Sequence, residues 1–298
     1  MNYKNITIAG SGVLGYQIAF QTAFHGFHVT VYDINDVVLE KAKNKFNSLS
    51  IAYKNDLNAT QKQLDETYQN LSYTSDLTEA VKNADLLIEA VPENPTLKID
   101  FYKKLAKVAP EKTVFVTNSS TLLPSHFAEA TGRPSKFLAL YFANSIWIHN
   151  TAEIMGHSTT DPKVFKDIVA FAKSINMLAL PLKKEQPGYI LNSLLVPLLS
   201  AATNLLVNEI ADSEIIDKTW MKATGAPLGP FGILDVVGIT TAYNINKMAA
   251  ENTKDELKIK TAKYLKENFI DKNKLGVSTG EGFYKYPNPV FKKSDFLE

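Results

Sequence analysis

An α/β fold, a mostly parallel sheet followed by an all-α second part, is predicted by three observations. Short apolar runs alternate with amphipathic segments between residues 6 and 182. One of those runs, Asp85-Leu86-Leu87-Ile88-Glu89-Ala90-Val91, is almost continuously apolar, as a strand buried on both faces must be. After Pro187-Gly188 the strand pattern stops and only helical spacing remains. Strands alternating with helices imply parallel pairing. We place the domain boundary after residue 186, giving an α/β domain over 1–186 and a helical domain over 187–298.

The stretch from Ile6 to Asp33 organises the chain. The apolar run Ile6-Thr7-Ile8-Ala9 breaks into Gly10-Ser11-Gly12-Val13-Leu14-Gly15. An amphipathic segment follows from Tyr16 to Phe24, and a second β-rich run, Val29 to Tyr32, stops at Asp33. Strand, glycine turn, helix, strand and acid make a Rossmann-type dinucleotide fingerprint in its required context. Gly10 permits the tight turn, Gly12 lets the backbone approach a pyrophosphate, and Gly15 lets the helix pack on the strand. The helix N-terminus offers N–H groups and a positive dipole end to the phosphates. A carboxylate at Asp33 suits a ribose diol and repels a 2′-phosphate, so the cofactor reads as NAD rather than NADP.

Later elements follow the same logic. Asp36 to Asn47 reads as a helix over the sheet, and the polar residues 48–70 as an excursion with helical spacing at Leu57, Leu64 and Tyr68. Lys54 and Lys62 on that excursion could meet a phosphate, although a solvated face accounts for them. Leu71 to Tyr73 is a short strand, and Asp76 to Asn83 a short helix capped by Ser75 or Asp76. After Val91 the chain turns at Pro92-Glu93-Asn94-Pro95 into a helix through Lys98, Phe101 and Leu105. Thr113 to Thr117 is a strand that ends in Asn118-Ser119-Ser120-Thr121; Phe137–Phe142, Ala152–Met155 and Met177–Leu182 supply three more. Helices are expected over 189–208, 212–224, 237–250 and 254–270, then a glycine- and aromatic-rich tail from Gly276 to Tyr286. Ligands gather outside the carboxyl ends of parallel strands, where the glycine turn, Glu93, Ser120 and the stretch after Tyr141 all fall.

Composition removes several function classes. The 298 residues carry Lys+Arg 32 against Asp+Glu 31, a balance that argues against non-specific nucleic-acid binding. With Cys 0, disulfides, thiol catalysis and thiolate metal sites are excluded, and no metal site is expected. Tyr189 to Val207 has roughly the length of a membrane span. It contains Asn192, Ser193, Pro197, Ser200, Thr203 and Asn204, so we read it as a core or subunit-interface helix and expect no membrane association. Met1 to Lys4 run directly into the first strand, so no signal peptide is expected and the protein is read as cytoplasmic.

The order of motifs resembles the 3-hydroxyacyl-CoA dehydrogenase family, close to 3-hydroxybutyryl-CoA dehydrogenases, over nearly the whole chain. The residues that carry it are Gly10 to Gly15, Ala84 to Asn94 with Lys98, and Asn118-Ser119-Ser120-Thr121-Leu122. Pro187-Gly188-Tyr189-Ile190-Leu191-Asn192, Gly225 to Phe231 with Asp235, and Thr279-Gly280-Glu281-Gly282-Phe283-Tyr284 complete it. The resemblance implies NAD held by Gly10, Gly12, Val13, Leu14, Gly15, Asp33, Glu93, Lys98 and Asn118. It implies interconversion of a (3S)-hydroxyacyl-CoA and a 3-ketoacyl-CoA of short chain, in fatty acid metabolism, and a helical domain that pairs into a homodimer. It also implies a reacting carbon surrounded by Ser120, the residue at 141, Glu153 and Asn192. Glu153 matches the carboxylate that holds the family's catalytic histidine.

That histidine is replaced. The family's strand end reads His-Phe-Phe-Asn-Pro; this one reads Leu140-Tyr141-Phe142-Ala143-Asn144-Ser145, and Tyr141 stands twelve residues before Glu153. Alcohol oxidation needs a base with a pKa near working pH. Histidine at ~6.5 suits that task, whereas tyrosine at ~10 is ionised to only about one part in a thousand at pH 7. A neutral phenol still donates a hydrogen bond to a ketone oxygen that is gaining charge, so reduction is expected to survive better than oxidation. None of His25, His28, His126, His149 and His157 is an obvious replacement: His149 is the only candidate near the cleft and reads as an ordinary loop histidine, His126 reads as lying on a helix that begins near Pro124, and His25 as complementing a helix C-terminus. Two other readings keep the fold: a dehydrogenase of a free 3-hydroxy acid, and an NAD-binding sensor or structural dimer that has lost its chemistry.

Overall fold

The computed structural model describes residues 3–298. Two compact units divide the chain, Met1–Ile190 and Leu191–Glu298. In the first, eight strands form one sheet: β1 (Asn5–Ala9), β2 (His28–Tyr32), β3 (Leu71–Thr74), β4 (Leu86–Glu89), β5 (Val114–Thr117), β6 (Phe137–Phe142), β7 (Thr151–Met155) and β8 (Leu178–Pro181). Their order is β3-β2-β1-β4-β5-β6-β7-β8. Every neighbouring pair is parallel except β6 and β7. The expected Rossmann-type, mostly parallel sheet is therefore present.

The alternation of side chains explains why the central strands are apolar throughout. Leu86 and Ile88 of β4, Val114 and Val116 of β5, and Leu138 and Leu140 of β6 point into one core. Leu87, Phe115 and Phe137 point into the other. Helices α1 (Gly15–Phe24), α2 (Asp36–Leu57) and α6 (Pro162–Ser174) cover the first face through Ile18, Phe20, Phe46, Ile168 and Phe171. The second face is covered by α4 (Leu77–Val81) and α5 (Pro95–Val108), through Val81, Phe101, Tyr102 and Leu105. Removing a ring such as Phe171, fully buried among these residues, would cost about 3–5 kcal/mol through lost burial and the cavity left behind.

Several boundaries differ from the sequence reading, each for a local reason. The helix expected to stop near Asn47 runs on to Leu57, because Leu49 and Tyr53 extend its buried stripe past the polar surface. It ends at Asn58 in the left-handed conformation, and α3 (Gln61–Gln69) follows behind a capping box of Thr60 and Gln63. Asp76, not Ser75, caps α4. Helix α6 was not anticipated, although Asp161-Pro162 gives it both a cap and a first-turn proline. His126 sits in a three-residue 3-10 turn rather than a helix.

The second unit is helical. The helix α7 (Tyr189–Val207) leads into it, followed by α8 (Ser213–Thr224), α9 (Pro230–Val237), α10 (Ile239–Thr253) and α11 (Glu256–Asn268). Its core gathers Ala202, Ile216, Phe231, Leu234, Ile239, Leu265, Phe269 and Tyr284. Sequence reading expected an element from residue 237 and missed α9, which Gly238 at φ +94° separates from α10. The tail from Gly276 is pinned by Asp235, whose carboxylate accepts the Phe283 and Tyr284 N–H groups at 2.8 Å.

Candidate active site

The strand order reverses between β1 and β4, and this switch point is where an open α/β sheet binds a ligand. Gly10 lies there at φ +99°, and a Cβ on it would come within 2.5 Å of the Ala90 carbonyl oxygen. A Cβ on Gly15 would meet the Gly10 oxygen at 1.8 Å, so only glycine lets α1 start against the turn. At Gly12, by contrast, a Cβ would meet nothing within 4 Å. That open space in front of the N-terminus of α1 is the room a pyrophosphate needs.

Asp33 closes the same turn. Its Oδ2 accepts the Ser11 N–H and hydroxyl, both at 2.7 Å, and its Oδ1 accepts the Ile34 N–H at 2.8 Å. An ionised carboxylate has about four acceptor positions, so one remains for a ribose hydroxyl. Val13 is exposed and Leu14 half-buried beside the open space. These residues fit a bound NAD.

At the end of β4 the side chains form a buried relay. The Glu89 carboxylate, fully buried, accepts the Val91 N–H and Lys98 Nζ on one oxygen and the Tyr102 and Thr117 hydroxyls on the other. Lys98 is itself buried, with Nζ 2.6 Å from Glu89 and 3.3 Å from Glu93. The ammonium thus faces two carboxylates and the Val91 carbonyl. Glu93 continues outward: its Oε1 accepts the Ser119 hydroxyl at 2.6 Å and the Thr121 hydroxyl at 2.9 Å. Burial opposes ionisation of Glu93, but the Ser119 bond, the Lys98 charge and the Thr121 bonds outweigh it and hold the carboxyl below its usual range.

Antiparallel pairing of β6 with β7 builds the rest. The register sets Tyr141 opposite Glu153, and directly opposed residues share one face of the sheet. Tyr141 is half-buried and Glu153 is 3% exposed. Asn118 fixes this strand end, its Oδ1 accepting the Phe142 N–H at 3.0 Å. Tyr189 packs on Tyr141 with ring centroids 4.9 Å apart and nearly parallel planes, and its hydroxyl donates to the Ser119 carbonyl at 2.8 Å. Burial pushes the Tyr189 phenol well above its ordinary pKa, with Glu93 adding to the effect, so it stays a neutral donor. The next N–H, from Ile190, donates to Glu153 Oε1 at 2.8 Å. A residue at φ +56° in this position costs about 1–3 kcal/mol, which the stacking and the two bonds offset.

The carboxyl edge of the first unit therefore links Glu93, Ser119, Tyr189, Tyr141 and Glu153, and Ser120 follows Ser119 at the end of β5. Asn192 stands in the first turn of α7 and belongs to the second unit. The sequence reading did not single out Tyr189, Glu89 or Gln17 for the site. Tyr189 carried a signal, as the large residue after Pro187-Gly188 at the head of an apolar helix. His149 is exposed in the loop after β6. His25 stands at the C-terminus of α1 as expected, with its ring nitrogen bonded to the Gln21 carbonyl at 2.9 Å; burial pulls its imidazole pKa below the ordinary value. Among the described residues no cluster of His, Asp and Glu could hold a metal.

Residues 5–185 match the NAD binding domain of 3-hydroxyacyl-CoA dehydrogenase, and residues 188–286 match its C-terminal domain. The chain is 33% identical over 292 residues to the human mitochondrial hydroxyacyl-coenzyme A dehydrogenase, covering 95% of this chain and 91% of that one. It is 27% identical to a probable 3-hydroxybutyryl-CoA dehydrogenase of Bacillus subtilis, covering 96% and 98%. A solved structure of a diketoreductase, described for substrate-directed dual catalysis of dicarbonyl compounds, has a TM-score of 0.91 and 55% identity, covering 96% of this chain and 100% of that one. The chain belongs to the 3-hydroxyacyl-CoA dehydrogenase family and is an NAD-dependent oxidoreductase.

Proposed function

We propose that the protein interconverts (3S)-hydroxyacyl-CoA and 3-ketoacyl-CoA of short chain, and that reduction of the ketone is its favoured direction at neutral pH. The observation that carries the reading is the opposition of Tyr141 and Glu153 in one antiparallel pair, with tyrosine at the position of the family's basic histidine. Bound NADH supplies the hydride. Tyr141 donates a hydrogen bond to the ketone oxygen as it gains charge, passes its proton to that oxygen and is reprotonated from solvent, and Ser120 offers a second hydroxyl from the end of β5. Glu153, held by the Ile190 N–H, orients the phenol side of the site. Glu93, Lys98 and Asn118 would order the strand ends beside a bound nicotinamide.

A second reading is supported by the diketoreductase likeness: the ketone is a free dicarbonyl compound or keto acid rather than a thioester. NADH consumption with acetoacetyl-CoA and with ethyl acetoacetate separates the two. Faster turnover of the thioester, with competition by 3′-phospho-ADP, supports the first reading; faster turnover of the free ester without such competition replaces it with the second. Silence with both, while NAD still binds, would leave the sensor or structural role. We also read the protein as a homodimer, on the strength of large apolar side chains exposed on the second unit, among them Leu194, Ile210 and Met248.

A further inference from the structure

Gln17 is a polar side chain in an unusual place. It lies on α1 and is 3% exposed, and its amide is committed at every position. Nε2 donates to the Val13 carbonyl and to Asn144 Oδ1, both at 2.7 Å. Oε1 accepts the Ser145 N–H at 2.9 Å and the Ile146 N–H at 3.4 Å. A leucine would fill a similar volume without the cost of desolvating an amide, so packing alone does not account for glutamine.

The two ends of this amide touch different parts of the machinery. Val13 belongs to the glycine turn in front of which the cofactor phosphates would lie. Asn144, Ser145 and Ile146 belong to the loop that leaves β6 directly after Tyr141 and Phe142. Ser145 sits at φ +59°, a left-handed conformation that a non-glycine residue holds only when its surroundings enforce it. Gln17 Oε1 is bonded to the N–H of that residue. Outside the core, Trp147 of the same loop donates from Nε1 to Asp56 Oδ2 at 2.8 Å, so the loop is tied to α2 as well. Asn118 holds the strand end and Gln17 the loop beyond it.

We propose that Gln17 is a positioning residue, through which the turn that holds the cofactor phosphates sets the loop after Tyr141 and thereby the placement of the Tyr141 side chain. The inference rests on the NAD-dependent reductase reading. A planar amide is rigid, so any displacement of the Val13 carbonyl would be carried through Nε2 and Oε1 to the Ser145 and Ile146 N–H groups. The loop is thus read from the cofactor side without touching the cofactor.

Two substitutions separate this role from support of the fold. Gln17→Met removes both ends of the bridge. Gln17→Glu keeps the acceptor for Ser145 and Ile146 but loses the donor to Val13 and puts an anion beside the phosphate turn. In a Trp220→Phe background, Trp147 is the only indole, since the sequence has Trp 2, and its emission reports the loop. For Gln17→Met we expect kcat down by about tenfold, about 1.4 kcal/mol, with the NADH KM changed by no more than about threefold and the Trp147 response to NADH lost. For Gln17→Glu we expect the reverse split: the Trp147 response kept, kcat within about threefold, and the NADH KM raised by about tenfold. An intact Trp147 response in Gln17→Met overturns the proposal, as does a Gln17→Glu protein that loses kcat at unchanged KM, or equal shifts of both parameters in both variants. Should Gln17→Met fail to fold, the Gln17→Glu split decides alone. If the wild-type chain turns over no ketone, the functional reading falls, while the Trp147 titration with NADH still decides the role of Gln17.

Discussion

At the scale of single residues, the replacement of the family histidine by Tyr141 makes a directional prediction. General acid–base groups contribute about 10²–10⁴ in rate when their pKa is matched to the task. Restoring the base with Tyr141→His should therefore raise kcat at saturating substrates for oxidation of (S)-3-hydroxybutyryl-CoA at pH 7 by about a hundredfold, and kcat for reduction of acetoacetyl-CoA by clearly less, the KM values shifting so that the equilibrium constant is unchanged. Initial rates in both directions check this; an equal gain in both would mean the phenol is no better an acid than a base here. Glu93 makes a second prediction, about pH. Its folded-state carboxyl is held below the usual range by Ser119, Lys98 and Thr121 against the opposing cost of burial. A lowered folded value contributes stability above the unfolded pKa and loses it as pH falls through the folded value. Glu93→Gln should thus melt at a lower temperature than wild type near pH 7, with the gap closing as the buffer is brought below pH 4. A gap independent of pH would show that the carboxyl is not held ionised by these partners. Partial exposure of Glu93 to solvent keeps the effect small.

At the scale of elements, the second unit is tied together by two buried carboxylates. Asp217 of α8 accepts the Phe231 and Gly232 N–H groups of α9 and the Tyr284 hydroxyl. Asp235 of α9 accepts the Phe283 and Tyr284 N–H groups and the Tyr286 hydroxyl, so the tail is strapped across both helices. Glycine is required at 282, where a Cβ would meet Asp235 Oδ1 at 2.0 Å. Burial raises the pKa of both carboxyls above 3.8, outweighing the bonds that favour ionisation, and Asp217 adds to the shift of Asp235. The sign is the reverse of Glu93: the folded unit takes up protons first, so this contribution is full below the unfolded value and is lost as pH rises through the raised one. Asp217→Asn, which leaves at least one of three buried donors unpaired, should cost about 2–4 kcal/mol in urea unfolding at pH 7. The difference from wild type should widen as pH is lowered towards 4; a constant or shrinking difference would contradict the raised pKa. In the sequence Asp235 stood out only as part of the family resemblance, whereas Asp217 did not stand out at all. Its partners lie fourteen or more residues away and only the folded unit brings them to it.

At the scale of the whole molecule, what was legible followed from local physics. The central strands announced themselves because burial on both faces demands unbroken apolar runs, and the glycine turn because its close approaches admit no side chain. Helix α6 was equally local, with Asp161-Pro162 before Val164, Ile168 and Phe171, and was simply passed over. The reversal between β6 and β7 is not written in apolar pattern, since an antiparallel strand buried on both faces looks like a parallel one. Only the shortness of the link from Phe142 to Thr151 hints at it, because a parallel crossover needs about a dozen residues. The Tyr141–Glu153 pair was legible only through the family resemblance, while the Gln17 bridge, spanning a separation of 127 residues, could not be read at all. The same logic of burial leaves several apolar side chains unexplained within the second unit. Leu194 is 70% exposed, Met248 60% and Ile210 70%, on a unit whose own core is already closed around Phe231 and Leu265. Single exposed apolar residues are ordinary, but large ones recurring on several helices of one unit mark an interaction surface. A stable homodimer interface buries about 1,600 Å² in total, with apolar side chains at its centre. We expect light scattering to give the mass of two chains for the wild type and of one chain for Leu194→Glu combined with Met248→Glu. The paired charges would have to be buried without partners, a cost that this interface could not absorb. A wild-type chain that runs as a monomer at micromolar concentration would refute the dimer, and a variant that stays dimeric would place the interface elsewhere on the unit.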